Sequence, residues 1–131
     1  MSGYLADTSV FVASEQHRRL GPAPAGGARI SVATLTELML GVRRATSEPV
    51  RQVREATLAR ARRFVPLPYD ETVAERLVEL LAAARSQDRR AGAMDAIIAA
   101  TALAHGLTVW TQDDDFDVLG ELAPALRVHR G

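Results

Sequence analysis

Apolar residues along this chain follow two periods in turn. Short apolar runs at 4–6, 29–32 and 107–110 each end at or near a polar residue, and longer stretches with apolar residues every three or four positions lie between them. The short runs predict buried strands and the longer stretches amphipathic helices. The expected order begins with a strand over 4–6, a helix from Thr8 to about Glu15, and a loop over 21–27 marked by Pro22, Pro24, Gly26 and Gly27. A strand over 29–32 and a helix over 34–44 follow, the helix with Leu35, Leu38, Met39 and Val42 on one face. Pro49 suits the first turn of the next helix, whose expected buried stripe is Val50, Val53, Thr57, Ala61 and Phe64. Prolines at 66 and 68 confine the run 65–68 to a sheet edge.

Asp70 is placed to cap a helix reaching about Arg85, with Val73, Leu77, Leu80, Leu81 and Ala84 turned inward. A polar link over 86–92 leads to a helix from Ala93 or Met94 to His105 that is apolar nearly all round, so it should be buried. Gly106 suits its C-terminal stop. A strand over 107–110, a polar turn or short helix over 112–119 and a last strand over 126–129 complete the order. Strands alternating with helices predict a three-layer α/β/α fold around a mostly parallel sheet of about five strands. The 131 residues show no internal repeat and are expected to form a single domain over 1–131.

In a parallel sheet the strand C-termini and the following helix N-termini share one edge, where such folds place their sites. Asp7, Glu37, Asp95 and the 113–115 aspartates all stand where a strand ends or a helix begins. Each has an ordinary explanation when taken singly. Asp7 can be an N-cap, Thr34-x-x-Glu37 has the form of a capping box, Asp95 can answer a helix dipole, and the triple aspartate can be a solvated loop. Their convergence on one edge is harder to explain that way. Two carboxylates about 4 Å apart repel by about 4 kcal/mol at an effective dielectric near 20, so such a cluster must bind protons or cations. Asp113 is nearest the strand end, Asp115 an outer partner, and Asp114 is expected to face solvent. Oxygen donors without neighbouring histidine or cysteine suit Mg²⁺ or Mn²⁺ rather than zinc.

Composition narrows the chemistry further. There is no cysteine, hence no disulfide or thiolate site. Sixteen basic residues balance sixteen acidic ones, and every basic residue is arginine. Without lysine a P-loop is excluded, and phosphatase or receiver chemistry with Asp7 as phosphoacceptor lacks its usual lysine. No Gly-x-Ser-x-Gly elbow supports a serine hydrolase. Neither a signal peptide nor a membrane-length apolar run is evident, so a cytoplasmic location is expected. Arg43, Arg44, Arg89 and Arg90 lie near the acidic positions and are candidate phosphate contacts.

Four segments carry a family resemblance: Leu5-Ala-Asp7-Thr-Ser9, Ile30 through Glu37-Leu38 with Gly41, Met94-Asp95 through Thr101-Ala102, and Thr111-Gln-Asp113-Asp-Asp115-Phe116. In this order, over nearly the whole chain, they resemble PIN-domain ribonucleases, and most of all the VapC toxins of toxin–antitoxin pairs. The resemblance implies a PIN-like fold and a metal-dependent ribonuclease that hydrolyses RNA, transfer RNA or another structured RNA, with a metal-activated water. It implies that Asp7, Glu37, Asp95 and Asp113 are the catalytic acids around Mg²⁺ or Mn²⁺, with Asp115 as a fifth ligand. Thr8, Ser9 and Thr111 would be auxiliary hydroxyls. It also implies a cognate VapB-type antitoxin and a homodimer, with the helices over 51–64 and 71–85 as candidate docking surfaces. The competing expectation is a catalytically inactive PIN-like module that binds RNA or protein.

Overall fold

The computed structural model describes residues 3–131. Its elements run β1 (Gly3–Ala6), α1 (Thr8–Glu15), β2 (Gly27–Ser31), α2 (Val32–Arg43), α3 (Glu48–Ala61), β3 (Val65–Leu67), α4 (Glu71–Ser86), α5 (Ala93–His105), β4 (Thr108–Thr111), α6 (Asp115–Leu122) and β5 (Arg127–Arg130). The five strands form one sheet in the order β3-β2-β1-β4-β5, and all four pairings are parallel. The proline-bearing β3 is an edge strand, as its missing N–H groups require. At Gly3 a side chain would meet the Gly27 carbonyl at 2.7 Å, so the close approach of β1 to β2 needs glycine there.

Alternate strand residues feed two cores, as a period of two demands. Leu5 and Val109 join α4, α5 and α6 on one face, in a cluster that includes Val73, Leu80, Ile98 and Phe116. Ala6 and Ile30 face the other way and meet Phe11, Leu38, Leu58 and Ala61. Phe11 and Phe64 pack edge to face there at 5.7 Å between ring centroids. Helix α5 supplies six fully or almost fully buried residues, which accounts for its unbroken apolar character. It stops at Gly106 in the left-handed region, φ 64°.

Several sequence expectations shift. Helix α2 starts earlier than its pattern suggests, because Ser31 accepts a hydrogen bond from the Ala33 N–H and serves as N-cap. Thr34 therefore lies inside the helix, and the Thr34–Glu37 capping box does not form. Met39, Val50, Val53 and Leu81 are exposed rather than inward. On α3 the buried residues are Thr57, Leu58 and Ala61, so its core stripe is confined to the C-terminal half. Of the turn or short helix expected after β4 the structure forms the helix, α6, and β5 runs one residue past the expected strand at its C-terminal end.

Candidate active site

Sheet order reverses beside β1. The chain steps outward through β2 and β3, then returns to place β4 on the other side of β1. A crevice opens at the C-terminal ends of the strands at such a switch point. Asp7 follows β1 directly, Thr111 ends β4, and Glu37 and Asp95 lie in α2 and α5.

Asp7 is only 2% exposed. Its Oδ2 accepts from the Ser9 hydroxyl at 2.7 Å, the Thr111 hydroxyl at 2.9 Å and the Ser9 N–H at 3.4 Å. Asp7 does cap α1, as its position suggests, and the same carboxylate heads the crevice. None of these three donors uses Oδ1. Ser9 and Thr111 also receive the Gln112 and Asp113 backbone N–H groups, each at 2.9 Å. The hydroxyls thereby fasten the loop after β4 to the start of α1.

Glu37 Oε1 accepts from the Thr8 hydroxyl at 2.7 Å, and Thr8 in turn lies 3.2 Å from the Thr34 hydroxyl. Thr34 is completely buried. It is a contributor that its sequence pattern disguises, since a threonine three residues before a glutamate reads first as a cap. Thr8, Ser9 and Thr111, the auxiliary hydroxyls expected from sequence, all bond to an acid of this cluster.

The electrostatics show the acids acting on one another. Burial pushes the Asp7 carboxyl up, against the pull of its hydrogen bonds. Burial raises Glu37 as well, with Asp7 and Asp113 adding to the rise. Asp95 is pushed up to about 7, first by burial and then by the charges of Asp7, Asp115, Glu37 and Asp113. Five carboxylates from four parts of the chain thus share one field, and no arginine is among the charges acting on Asp95.

The surroundings differ on the two sides. Asp95 and Asp115 line a hollow of about 160 Å³ with Arg90 and Gly92. Glu37 and Thr8 line a larger cleft of about 420 Å³ with Gly41, Arg44 and Arg54. Arg43 is exposed. Arg89, a candidate phosphate contact, forms an ion pair with Glu121 at 2.5 Å. Asp114 faces solvent as expected and pairs with Arg130. Arg54 is the arginine that sequence reasoning misses. Its place outside the apolar stripe of α3 carries no signal, and only the packing of α3 on α2 brings it to the cleft.

As a donor set these carboxylate and hydroxyl oxygens suit a hard divalent ion, and no arginine is among the charges acting on Asp95. Among the described residues no three such side chains stand in position to hold one ion together. Asp7, Glu37, Asp95, Asp113 and Asp115 are the residues that would hold such an ion.

Fold and crevice define the class as a PIN domain, and the PIN-domain family model matches residues 4–122. The chain is 40% identical over 120 residues to Ribonuclease VapC4 of Mycobacterium tuberculosis, covering 90% of this chain and 92% of that protein. It is 39% identical over 114 residues to Ribonuclease VapC5 of the same organism, covering 86% and 84%. The crystal structure of VapBC-5 from Mycobacterium tuberculosis, a member of the VapBC family of toxin–antitoxin systems, matches with a TM-score of 0.84 at 33% identity. That match covers 99% of this chain and 98% of the other. The chain therefore belongs to the PIN-domain family, among its VapC ribonucleases. Dependence on a divalent metal is general to PIN ribonucleases.

Proposed function

We propose that this chain is the toxin of a VapBC-type pair, an endoribonuclease that hydrolyses RNA phosphodiester bonds with Mg²⁺ or Mn²⁺. The carrying observation is that Glu37 and Asp95 are each raised by burial and by neighbouring carboxylates at the switch point, with no arginine among the charges acting on Asp95. Asp7 and Asp95 are the first ligands in this account. Glu37, Asp113 and Asp115 complete the charge, directly or through water. Bound there, a divalent ion supplies Lewis-acid activation of the phosphate and of the attacking water.

The chain's own groups do the positioning. Ser9 and Thr111 hold the Asp7 carboxylate by one oxygen, which leaves the other to face a ligand. Thr8, backed by buried Thr34, fixes Glu37 at the opposite wall. All the expected acids are present and the crevice is formed, so no observation favours the inactive module. With purified chain and structured RNA, chelation should abolish cleavage, and added Mg²⁺ or Mn²⁺ should restore it. Equal cleavage in EDTA would refute the metal-dependent account.

A VapB-type antitoxin as partner follows from the same reading, as the similar VapBC-5 structure belongs to a toxin–antitoxin system. We include a second copy of this chain among the partners. Val78 and Leu81 give α4 an exposed apolar patch suited to such pairing. Sedimentation of the purified chain should show a dimer, and a monomer at micromolar concentration would remove that part. Among the described residues no helix is long and apolar enough to cross a membrane, and we place the protein in the cytoplasm.

A further inference from the structure

Arg54 is half-buried, and its Nη1 donates to the Gly41 carbonyl at 2.7 Å. That bond fixes the guanidinium without neutralising it, since among the described residues no carboxylate pairs with Arg54. A guanidinium has five N–H donors, and the carbonyl occupies one. The cleft that Arg54 lines continues to Thr8 and Glu37, at the edge of the acidic centre.

Gly41 points to the same space independently. It lies inside α2, and its backbone is not in the left-handed region that would call for glycine. Glycine in a helix interior is less stable than alanine. A side chain here would meet nothing closer than Arg54 Cδ at 4.0 Å. What the missing side chain provides is room, one helical turn from Glu37.

Resting on the nuclease reading above, we infer that this cleft receives a single-stranded stretch of the RNA beside the scissile phosphate. A neighbouring phosphate lies on Arg54, and the nucleoside lies over Gly41 against Val12 and Leu38. A planar fork suits a phosphate. For a strand whose scissile phosphate sits among the acids, the cleft beside Glu37 offers a way out. The cleft volume suits one nucleotide and is far too small for a duplex. The remaining acid in the lining, Glu15, accepts a hydrogen bond from Thr57 at 2.8 Å on the α3 side.

The test is binding of a single-stranded RNA oligonucleotide to the full chain in EDTA, over a range of salt. Arg54→Met should weaken binding about tenfold at low salt, the scale of one charge-assisted hydrogen bond. It should also reduce the slope of log affinity against log salt by about 0.7, one phosphate's share for a single strand. Gly41→Leu keeps Arg54 but fills the cleft, and it should weaken binding comparably. Thermal unfolding of each variant separates lost binding from lost folding. Arg85→Met removes the same charge from the end of α4 and should change affinity and slope much less.

Wild-type affinity and slope in both cleft variants would overturn the subsite and leave the nuclease reading standing. Failure of the wild type to bind the oligonucleotide at any salt would overturn the subsite, while metal-dependent cleavage of structured RNA tests the nuclease reading separately. A cleft that binds a glutamate-rich peptide through Arg54, with RNA binding untouched by Arg54→Met, would make it a protein site instead.

Discussion

Asp95→Asn abolishes metal-dependent RNA cleavage and makes the metal-free protein more stable at neutral pH. Loss of activity should be about a thousandfold or more, the scale of several kcal/mol that metal-ion stabilisation of a transition state supplies. The gain in stability comes from the same carboxyl. It is raised to about 7 in the fold by burial and by four neighbouring acids. An acid raised by folding favours the folded state fully below its unfolded pKa, and that contribution is lost as pH climbs through the folded value. For Asp95 the window runs from about 4 to about 7. The full shift is equivalent to about 4 kcal/mol, which partial exposure reduces to roughly 2 kcal/mol. In EDTA at pH 7.5, Asp95→Asn should therefore unfold several degrees above wild type. Near pH 4 the two should converge. A variant that unfolds lower than wild type at pH 7.5 would show that Asp95 is compensated within the protein.

The second large effect separates two substitutions at Asp7. Both Asp7→Asn and Asp7→Ala should remove cleavage, because each deletes the carboxylate that heads the crevice. Their stabilities should differ. Asparagine keeps an oxygen that can accept from the Ser9 and Thr111 hydroxyls. Alanine leaves buried donors without an acceptor, at a cost of about 1–3 kcal/mol. Thermal unfolding should place Asp7→Ala clearly below Asp7→Asn, with neither active. Full activity in Asp7→Asn would exclude the charge of Asp7 from the reaction.

Much of this architecture is legible in the amino-acid sequence. The strand–helix alternation announces the parallel sheet, the prolines at 66 and 68 put β3 at its edge, and the all-apolar stretch of α5 announces a buried helix. Asp7, Glu37, Asp95 and Asp113 can be grouped because strand ends and helix starts share an edge whatever the strand order. What periodicity does not supply is which apolar residues find a partner. Val50 and Val53 repeat at helical spacing, yet α3 packs through its C-terminal half alone, so they stay exposed. Arginines are the hardest to place, because a long side chain chooses its partner in three dimensions. Arg89 reaches Glu121, a residue 32 positions away, while Arg54 turns to the Gly41 carbonyl. Thr34 is masked by a capping pattern that Ser31 fulfils in its place.

Titration of Mn²⁺ into the full chain by calorimetry, at pH values from 5.5 to 8.5 and in buffers of different ionisation enthalpy, addresses the acidic centre most directly. A ligand that must shed its proton makes metal binding release one. With Asp95 near 7, binding should release close to one proton at pH 6 and almost none at pH 8.5. Apparent affinity should rise in parallel, and binding should be lost in Asp95→Asn. Affinity that ignores pH, releases no proton and survives Asp95→Asn would contradict a cation centre built on these carboxylates.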